Sequence, residues 1–461
     1  MSAGTSFESV FSDAPAGHAV ICRRSPAFDY YSGLQHSPHR YSVQPAQAAT
    51  DELPTEAWVW DAFMQFVRGE FGQARIPRPA PPRPLIVPGP PADEDRVMLE
   101  YLDSCEENLV YHGVAAAIAR EAGDSVRQGL YAMITHPVLG NPANVRNVDY
   151  DALSGSIEAL LEHKQRLQFV MPSFPFKDQN MFRCIGPASH VDLGEAALLA
   201  RLHTLSMAMY QVHPYGVDWV ILSDGLAYSE ILRVEESDCR AYFENLRACR
   251  DVLDIGGSVH ILDLRSLTQK IVSESGNPNI FDQTAAHISR ALRSGLEARS
   301  DIQGAFAILR HGMKRNMSWK DVSSDFEWEV WWDVLQALDP ADVDLSARDV
   351  ALEVHNLATT AAFDYAAFNL ALRFHNAISR ILPSTVRATV HPKPGQVAVP
   401  KLGSEYPWNG MALIRGDSVS VDSVEVAPLY SLGSEGTTVV RHNSGDGAPF
   451  FCYTHETKKT S

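Results

Sequence analysis

The sequence predicts an α/β fold: a parallel sheet core, a helical middle segment and a β-rich C-terminal section. Three observations carry it. Short apolar, β-branched runs at 167–174 (LQFVMPSF), 218–225 (DWVILSDG) and 258–264 (SVHILDL) alternate with helical-period segments at 193–212 and 237–253, the pattern of strands joined by crossover helices. Residues 282–338 and 347–380 keep a helical period throughout. After them come short strand-like pieces cut by Gly and Pro, namely VRATV, QVAVP, MALIRG, SVSVDSVEVA and PFFCYT. Together these describe a Rossmann-like core with a β-rich section laid over it.

In chain order, residues 1–93 form a proline-rich N-terminal extension with one amphipathic stretch, Glu56 to Gly72, which reads as a docked helix. Beyond it, residues 74–91 hold eight prolines, a density that forbids helix and favours an extended arm or linker. Residues 94–430 form the folded domain, opening with helical patterns over 93–123 and 150–164. The aromatic-rich stretch 326–338 (FEWEVWWDVLQAL) reads as a packing face. Residues 431–461 supply a last strand and a tail.

Composition narrows the function. The 461 residues are 45% hydrophobic and 21% charged with a net charge of −17, which suits a globular chain and opposes binding to nucleic acid or an anionic membrane. No run of about 18 apolar residues is present, and the first residues carry acids where a secretory signal would be basic, so a cytoplasmic location is expected. Six dispersed cysteines, none in a C-x-x-C pair, fit reduced buried thiols rather than a zinc site.

The chemistry concentrates in residues 171–225. Phe174-Pro175-Phe176-Lys177-Asp178-Gln179-Asn180, the Asp192-Leu193-Gly194-Glu195 helix start and the strand end Ser223-Asp224-Gly225 occur there in order. Arg310-His311-Gly312-Met313, Arg387 to Pro392 (RATVHP) and Pro407-Trp408 follow downstream. This series resembles the isonitrile synthase, or pyoverdine and dityrosine biosynthesis, family, whose blocks read F-P-[AF]-K-S-P-N, L-G-x-L-P-D-x-G-E, S-D-G, R-G-M, R-L-S-I-H-P and T-P-W-H. The resemblance implies an enzyme of specialised metabolism acting on a free amino acid, typically turning the α-amine of tyrosine or tryptophan into an isonitrile with a carbon from ribulose 5-phosphate. It also implies that Lys177 binds phosphate or carboxylate, with Arg387 and His391 in the same pocket; Ser223-Asp224, at the carboxyl end of a strand where open α/β sheets bind ligands, is expected as a wall of that pocket, and Trp408 as a further binding residue.

Three blocks depart from the family pattern. Asp178 replaces a Ser beside Lys177, Asn409 replaces a His, and Ala188 to Asp192 replaces L-P-D. An acid beside Lys177 adds like charge where a phosphate needs donors. The last departure creates His190-Val191-Asp192, the H-x-D half of a facial triad, with His391 as third ligand. Such a triad holds Fe(II) and leaves positions for 2-oxoglutarate and dioxygen. Arg387, Lys401 or Arg415 then serves the distal carboxylate of that cosubstrate. The branch resembled on that reading is the aziridine-forming oxygenases of fungal 2-aminoisobutyrate and alkaloid clusters, which close valine's amine onto its β-carbon.

Each of these residues also has a plainer reading. Asp192 with Glu195 at the third helical position is a capping box. His190 is a loop histidine, Ser223-Asp224-Gly225 a turn, and Met313-Lys314-Arg315 a solvated turn whose cations could clamp a carboxylate. The leading expectation is an Fe(II)- and 2-oxoglutarate-dependent oxygenase of a free amino acid, with His190, Asp192 and His391 as ligands. The alternative is a metal-free isonitrile synthase in which Lys177, Asp192, Arg387 and His391 serve Schiff-base and proton-transfer steps. A third reading is a binding module among pathway enzymes, supported by the proline arm.

Overall fold

The computed structural model describes residues 53–70, 80–81, 85–88, 107–136, 150–266, 269, 277, 279–323, 327–382, 385–390, 396–400, 402–415, 418–423, 438–441 and 452–455. The first described elements are helix α1 (Glu56–Glu70) and strand β1 (Leu85–Pro88). Helices α2 (Glu107–Ala122), α3 (Val126–Thr135) and α4 (Tyr150–Glu162) follow. The core unit then runs β2 (Leu167–Ser173), α5 (Leu193–Tyr210), β3 (Val217–Ser223), the single turn α6 (Gly225–Tyr228), α7 (Glu236–Val252) and β4 (Val259–Asp263).

Helices α8 (Ile280–Ala298), α9 (Ser300–Asn316), α10 (Trp328–Gln336), α11 (Arg348–Phe374) and α12 (Ala377–Ile381) form the middle segment. Strands β5 (Val386–Thr389), β6 (Val397–Ala398), β7 (Met411–Arg415), β8 (Ser418–Asp422), β9 (Thr438–Arg441) and β10 (Cys452–His455) close the chain. The α/β fold expected from the sequence is the fold observed.

The first sheet has the order β4-β3-β2-β5-β6 and every pairing in it is parallel. Alternate residues of its strands enter different cores, as a two-sided strand requires. Phe169, Met171, Trp219 and Ile221 join the main cluster, and α5 packs on the sheet there. Val170, Val220 and Leu222 face Leu372, Ile378 and Leu382 at the end of α11 and along α12. The chain builds β2, β3 and β4 outward on one side, then returns to place β5 on the other side of β2. That reversal leaves a crevice at the carboxyl ends of β2 and β5, where open sheets of this kind accept ligands.

The helical middle is built round α11, whose buried alanines (Ala351, Ala358, Ala361, Ala362, Ala366, Ala367) let α8 and α9 approach closely. Helix α1 docks on α8, α9 and α11, burying Val59, Phe63, Phe66 and Val67. The docked helix read from the sequence is therefore present. The run Met313-Lys314-Arg315, expected to be a solvated turn, is instead the last turn of α9, with all three residues buried.

A second sheet has the order β1-β9-β10-β7-β8. The proline-rich stretch expected to be an arm or linker contributes its edge strand, Leu85–Pro88, parallel to Thr438–Arg441. Proline is tolerated there because an edge strand has one unpaired side. Strands from all three segments expected from the sequence thus share one sheet. Its β7 and β8 pack against α5, so the β-rich section does lie over the core.

Candidate active site

A cavity of ≈ 390 Å³ opens at the crevice between β2 and β5. Ser173, Pro175 and Phe176 line it from the end of β2, and Asp224 from the end of β3. Arg387 and Thr389 contribute from β5, His311 and Arg315 from α9, and Tyr228 and Tyr365 from the helical side. Trp408 forms a further wall. Three arginines (Arg183, Arg315, Arg387) and a histidine thus share the lining with Asp178, Asp224 and Glu405. Mixed charge of this kind in a concave pocket suits a zwitterion or an anionic small molecule.

Local geometry explains how β2 delivers its residues. Phe174 follows the strand at φ 57, a left-handed conformation that costs a non-glycine residue roughly 1–2 kcal/mol. The Ser223 hydroxyl donates to the Phe174 carbonyl at 2.9 Å and holds the turn. Pro175 then lies so close to β3's end that a Cβ on Gly225 would stand 1.7 Å from its carbonyl oxygen. Ser223, expected as a binding residue, sits behind the cavity wall at this turn, whereas Asp224 lies on the wall.

The Lys177 to Asn180 block works as a strap. Asp178 accepts from Arg183 Nη1 at 2.9 Å, and its backbone N–H donates to the Trp408 carbonyl at 2.8 Å. Burial pushes the Asp178 carboxyl up, with Arg183 pulling the other way. The Asn180 amide donates to the Arg315 carbonyl at 3.1 Å, and Arg183 reaches Asn316 at 2.8 Å. The like-charge objection to an anionic ligand therefore weakens, because Asp178 is matched by Arg183. Its pairing also joins β2 to the end of α9.

Lys177 is fully buried and is not part of the cavity lining. Its Nζ lies 2.8 Å from Asp192 Oδ2 and 3.0 and 2.9 Å from the two Glu195 oxygens. The Asp192 Oδ1 accepts from Gly194 N at 2.7 Å, and Glu195 accepts from Asp192 N at 3.1 Å, completing a capping box at the start of α5. Tyr242 donates to Glu195 Oε1 at 3.0 Å. Burial and the neighbouring Asp192 push the Glu195 carboxyl up to about 8. Asp192 itself is held below the usual carboxylate range by Lys177, against its burial.

His190 is buried in the loop just before α5, close enough for its charge to act on Asp192. Gly186 at φ 131 makes room for its ring, since a Cβ there would stand 2.7 Å from Nδ1. Both Asp192 oxygens are occupied, one by the helix N-terminus and one by an ammonium group, so a dication at His190 and Asp192 would have to displace Lys177. Among the described residues no group of three His, Cys, Asp or Glu side chains is arranged to hold a metal. His391 and Lys401 lie outside the described residues, and Arg415 is described as strand backbone only.

The structure therefore brings Asp224, Arg387 and Trp408 to one cavity and sets Lys177, His190 and Asp192 in a buried cluster beside it. Sequence reasoning did not single out Arg183 or His311, whereas Arg315 was named within the Met313-Lys314-Arg315 run as a cation able to clamp a carboxylate, and it lines the cavity. His311 lay within the Arg310 to Met313 block and was the available signal; Arg183 had none, because its role depends on Asp178 and Asn316 together.

A family model for pyoverdine/dityrosine biosynthesis proteins matches residues 157–424, more than half of the chain, and the chain belongs to that family. An L-tryptophan isonitrile synthase of Fischerella ambigua, AmbI2, is 23% identical over 146 residues, 30% of this chain and 42% of that protein. Isocyanide synthase A of Aspergillus fumigatus is 22% identical over 311 residues, 64% of this chain and 44% of that protein. The chain thus spans less than half the length of these relatives. The crystal structure of PvcA from Pseudomonas aeruginosa is similar at 15% identity and a TM-score of 0.48, covering 67% of this chain and 91% of that one.

Proposed function

We propose that this chain is an isonitrile synthase of specialised metabolism that acts on a free amino acid together with a phosphorylated keto sugar of the ribulose 5-phosphate type. The observation that carries the reading is the cavity at the β2–β5 crevice, where Arg387, Arg315 and Arg183 meet Asp224 and His311. Two anionic groups, a carboxylate and a phosphate, call for that number of guanidinium groups. The membership of the family and its isonitrile-forming relatives support the same reading.

In this reading Arg387 holds the amino acid carboxylate, and Arg315 and Arg183 hold the phosphate. The α-amine condenses with the keto carbonyl to an imine, releasing water. His311 and Asp224 are the cavity-lining groups able to carry the protons of that step. The tyrosine pair Tyr228 and Tyr365, with ring centroids 5.0 Å apart, offers an aromatic face to the substrate side chain.

The relatives favour this reading over an iron- and 2-oxoglutarate-dependent oxygenase, and Asp192 as placed does not fit an iron centre. The test runs both chemistries on one preparation. Purified protein is given tryptophan, tyrosine or valine with ribulose 5-phosphate, and the isonitrile is trapped with a tetrazine. A parallel sample receives Fe(II), 2-oxoglutarate and air, and succinate is measured. Tetrazine adduct without succinate is expected; amino-acid-stimulated succinate without adduct would overturn the proposal in favour of the oxygenase.

A further inference from the structure

Residues 178–183 bend back on themselves through their own short side chains. Asp178 Oδ1 accepts from Asn180 N at 2.9 Å, Asn180 Oδ1 accepts from Phe182 N at 3.0 Å, and Arg183 N donates to the Asn180 carbonyl at 2.8 Å. Asp and Asn favour such turns because their side-chain oxygens reach backbone N–H groups two residues on. The bend returns Arg183 to Asp178, whose second oxygen accepts from Nη1. One carboxylate therefore closes the turn with one oxygen and holds a guanidinium with the other.

Nη1 of Arg183 has a further acceptor, Asn316 Oδ1 at 2.8 Å, at the end of α9. A terminal guanidinium nitrogen carries two hydrogens, so both are used, and the plane of the group is fixed where it lines the cavity. An arginine not held in this way must be ordered at the expense of ligand binding, because its side chain is long and freely rotating. The same strap fixes the neighbouring cation. The Asn180 amide donates to the Arg315 carbonyl, and Arg315 lines the cavity with Arg183. Burial pushes the Asp178 carboxyl up, while Arg183 and, less strongly, Arg315 pull it down, so both guanidinium groups lie within electrostatic reach of it.

We propose that Asp178 is a positioning residue for anion binding: with Asn316 it sets the Arg183 guanidinium beside that of Arg315, and the pair clamps the phosphate of a phosphorylated ligand. The phosphate rests on the isonitrile synthase reading above, whereas the hold on Arg183 does not. Loss of the carboxylate has opposite consequences in the two ways Asp178 can act. As a bystander it is a negative charge near an anion, and its loss tightens phosphate binding. As a positioning residue its loss releases Arg183 and weakens phosphate binding.

Calorimetry on the full chain reads that sign. The probes are ribulose 5-phosphate, inorganic phosphate and, free of phosphate, whichever of tryptophan, tyrosine and valine the unmodified protein binds. Asp178→Asn keeps the shape but has one carbonyl oxygen, so it cannot serve both Asn180 N and Arg183. In this variant the dissociation constants of both phosphate probes are expected to rise about 10-fold, the loss of one charge-assisted contact, while that of the amino acid holds. Arg183→Gln is expected to raise them at least as much, and the double variant no further, because Asp178 acts through Arg183. Tighter or unchanged phosphate binding in Asp178→Asn overturns the proposal. An additive double variant, or an equal loss of amino acid binding, also overturns it and leaves Asp178 a merely structural residue. Should Asp178→Asn fail to fold, Asn316→Ala decides: weaker phosphate binding is expected, and unchanged binding overturns the proposal. An unmodified protein that binds ribulose 5-phosphate without forming isonitrile removes the reaction and leaves the clamp; one that binds neither phosphate probe overturns both.

Discussion

Glu195 accepts from Lys177, Tyr242 and the Asp192 backbone while fully buried beside another carboxyl. A carboxyl whose folded pKa lies above its unfolded value binds its proton more tightly in the native state. Its contribution to stability is complete below the unfolded value of about 4.5 and is lost as pH rises through about 8. Thermal melts of the unmodified protein should therefore lose stability across that window. Glu195→Gln, which stays neutral, should flatten the slope; an unchanged slope would assign it to another group. At the same scale, Arg387→Ala removes a charged donor from the cavity. A hydrogen bond to a charged group contributes about 1.5–3 kcal/mol, so amino acid binding measured by calorimetry should weaken by about 10- to 100-fold. Lys177 shows why such roles are hard to read in a sequence. A lysine in a motif reads as a ligand binder, and its burial follows from partners 18 and 230 residues away, which no local pattern reveals. Asp192 was legible as a cap because Glu195 lies three residues on, and its second bond, to Lys177, was not.

Elements were more legible than contacts. Strands β2, β3 and β4 and helices α5 and α7 follow directly from apolar runs alternating with helical periods, since burial on both faces needs continuous β-branched or apolar strands. The cavity position was likewise foreshadowed by Ser223-Asp224-Gly225 at a strand end. The Met313 to Arg315 run misled because three polar or flexible residues in a row look solvated, whereas the Lys314 ammonium reaches the Ala337 carbonyl at 2.8 Å at the end of α10. Strand β1 was hidden by its own prolines, and its partner β9 by being only four residues long. At the turn between β3 and α6, glycine is required by space. Gly225→Ala would drive a methyl into the Pro175 carbonyl, and overpacking against rigid backbone costs about 1–3 kcal/mol. A lowered melting temperature, with weaker ligand binding because Pro175 lines the cavity, is expected; a melt identical to the unmodified protein would show that the β2 turn yields easily.

At the scale of the whole molecule, α1 is joined to the helical middle rather than appended to it. Val59, Phe63, Phe66 and Val67 are each at most 6% exposed. Burying four such side chains contributes about 1.5–3 kcal/mol apiece, together comparable to the whole stability of a typical domain. Removal of residues 1–71 should therefore leave a chain that melts far lower or aggregates, as light scattering during heating would record. A truncated chain with an unaltered melt would mean that α1 docks without stabilising α8, α9 and α11. No helix among the described residues is long and apolar enough to cross a membrane.

The pairing of Leu85 with Thr438 sets a timetable for biosynthesis. The two strands are about 350 residues apart, and a ribosome adding 5–20 residues per second makes the second one about 20–70 s after the first. Throughout that interval an apolar Leu-Ile-Val segment has no partner, the condition under which nascent strands find the wrong neighbour. The prolines that crowd the sequence on both sides of it cannot donate to a growing ladder. A segment with so many prolines around it is a poor template for another chain's strand while its own distant partner is still unmade.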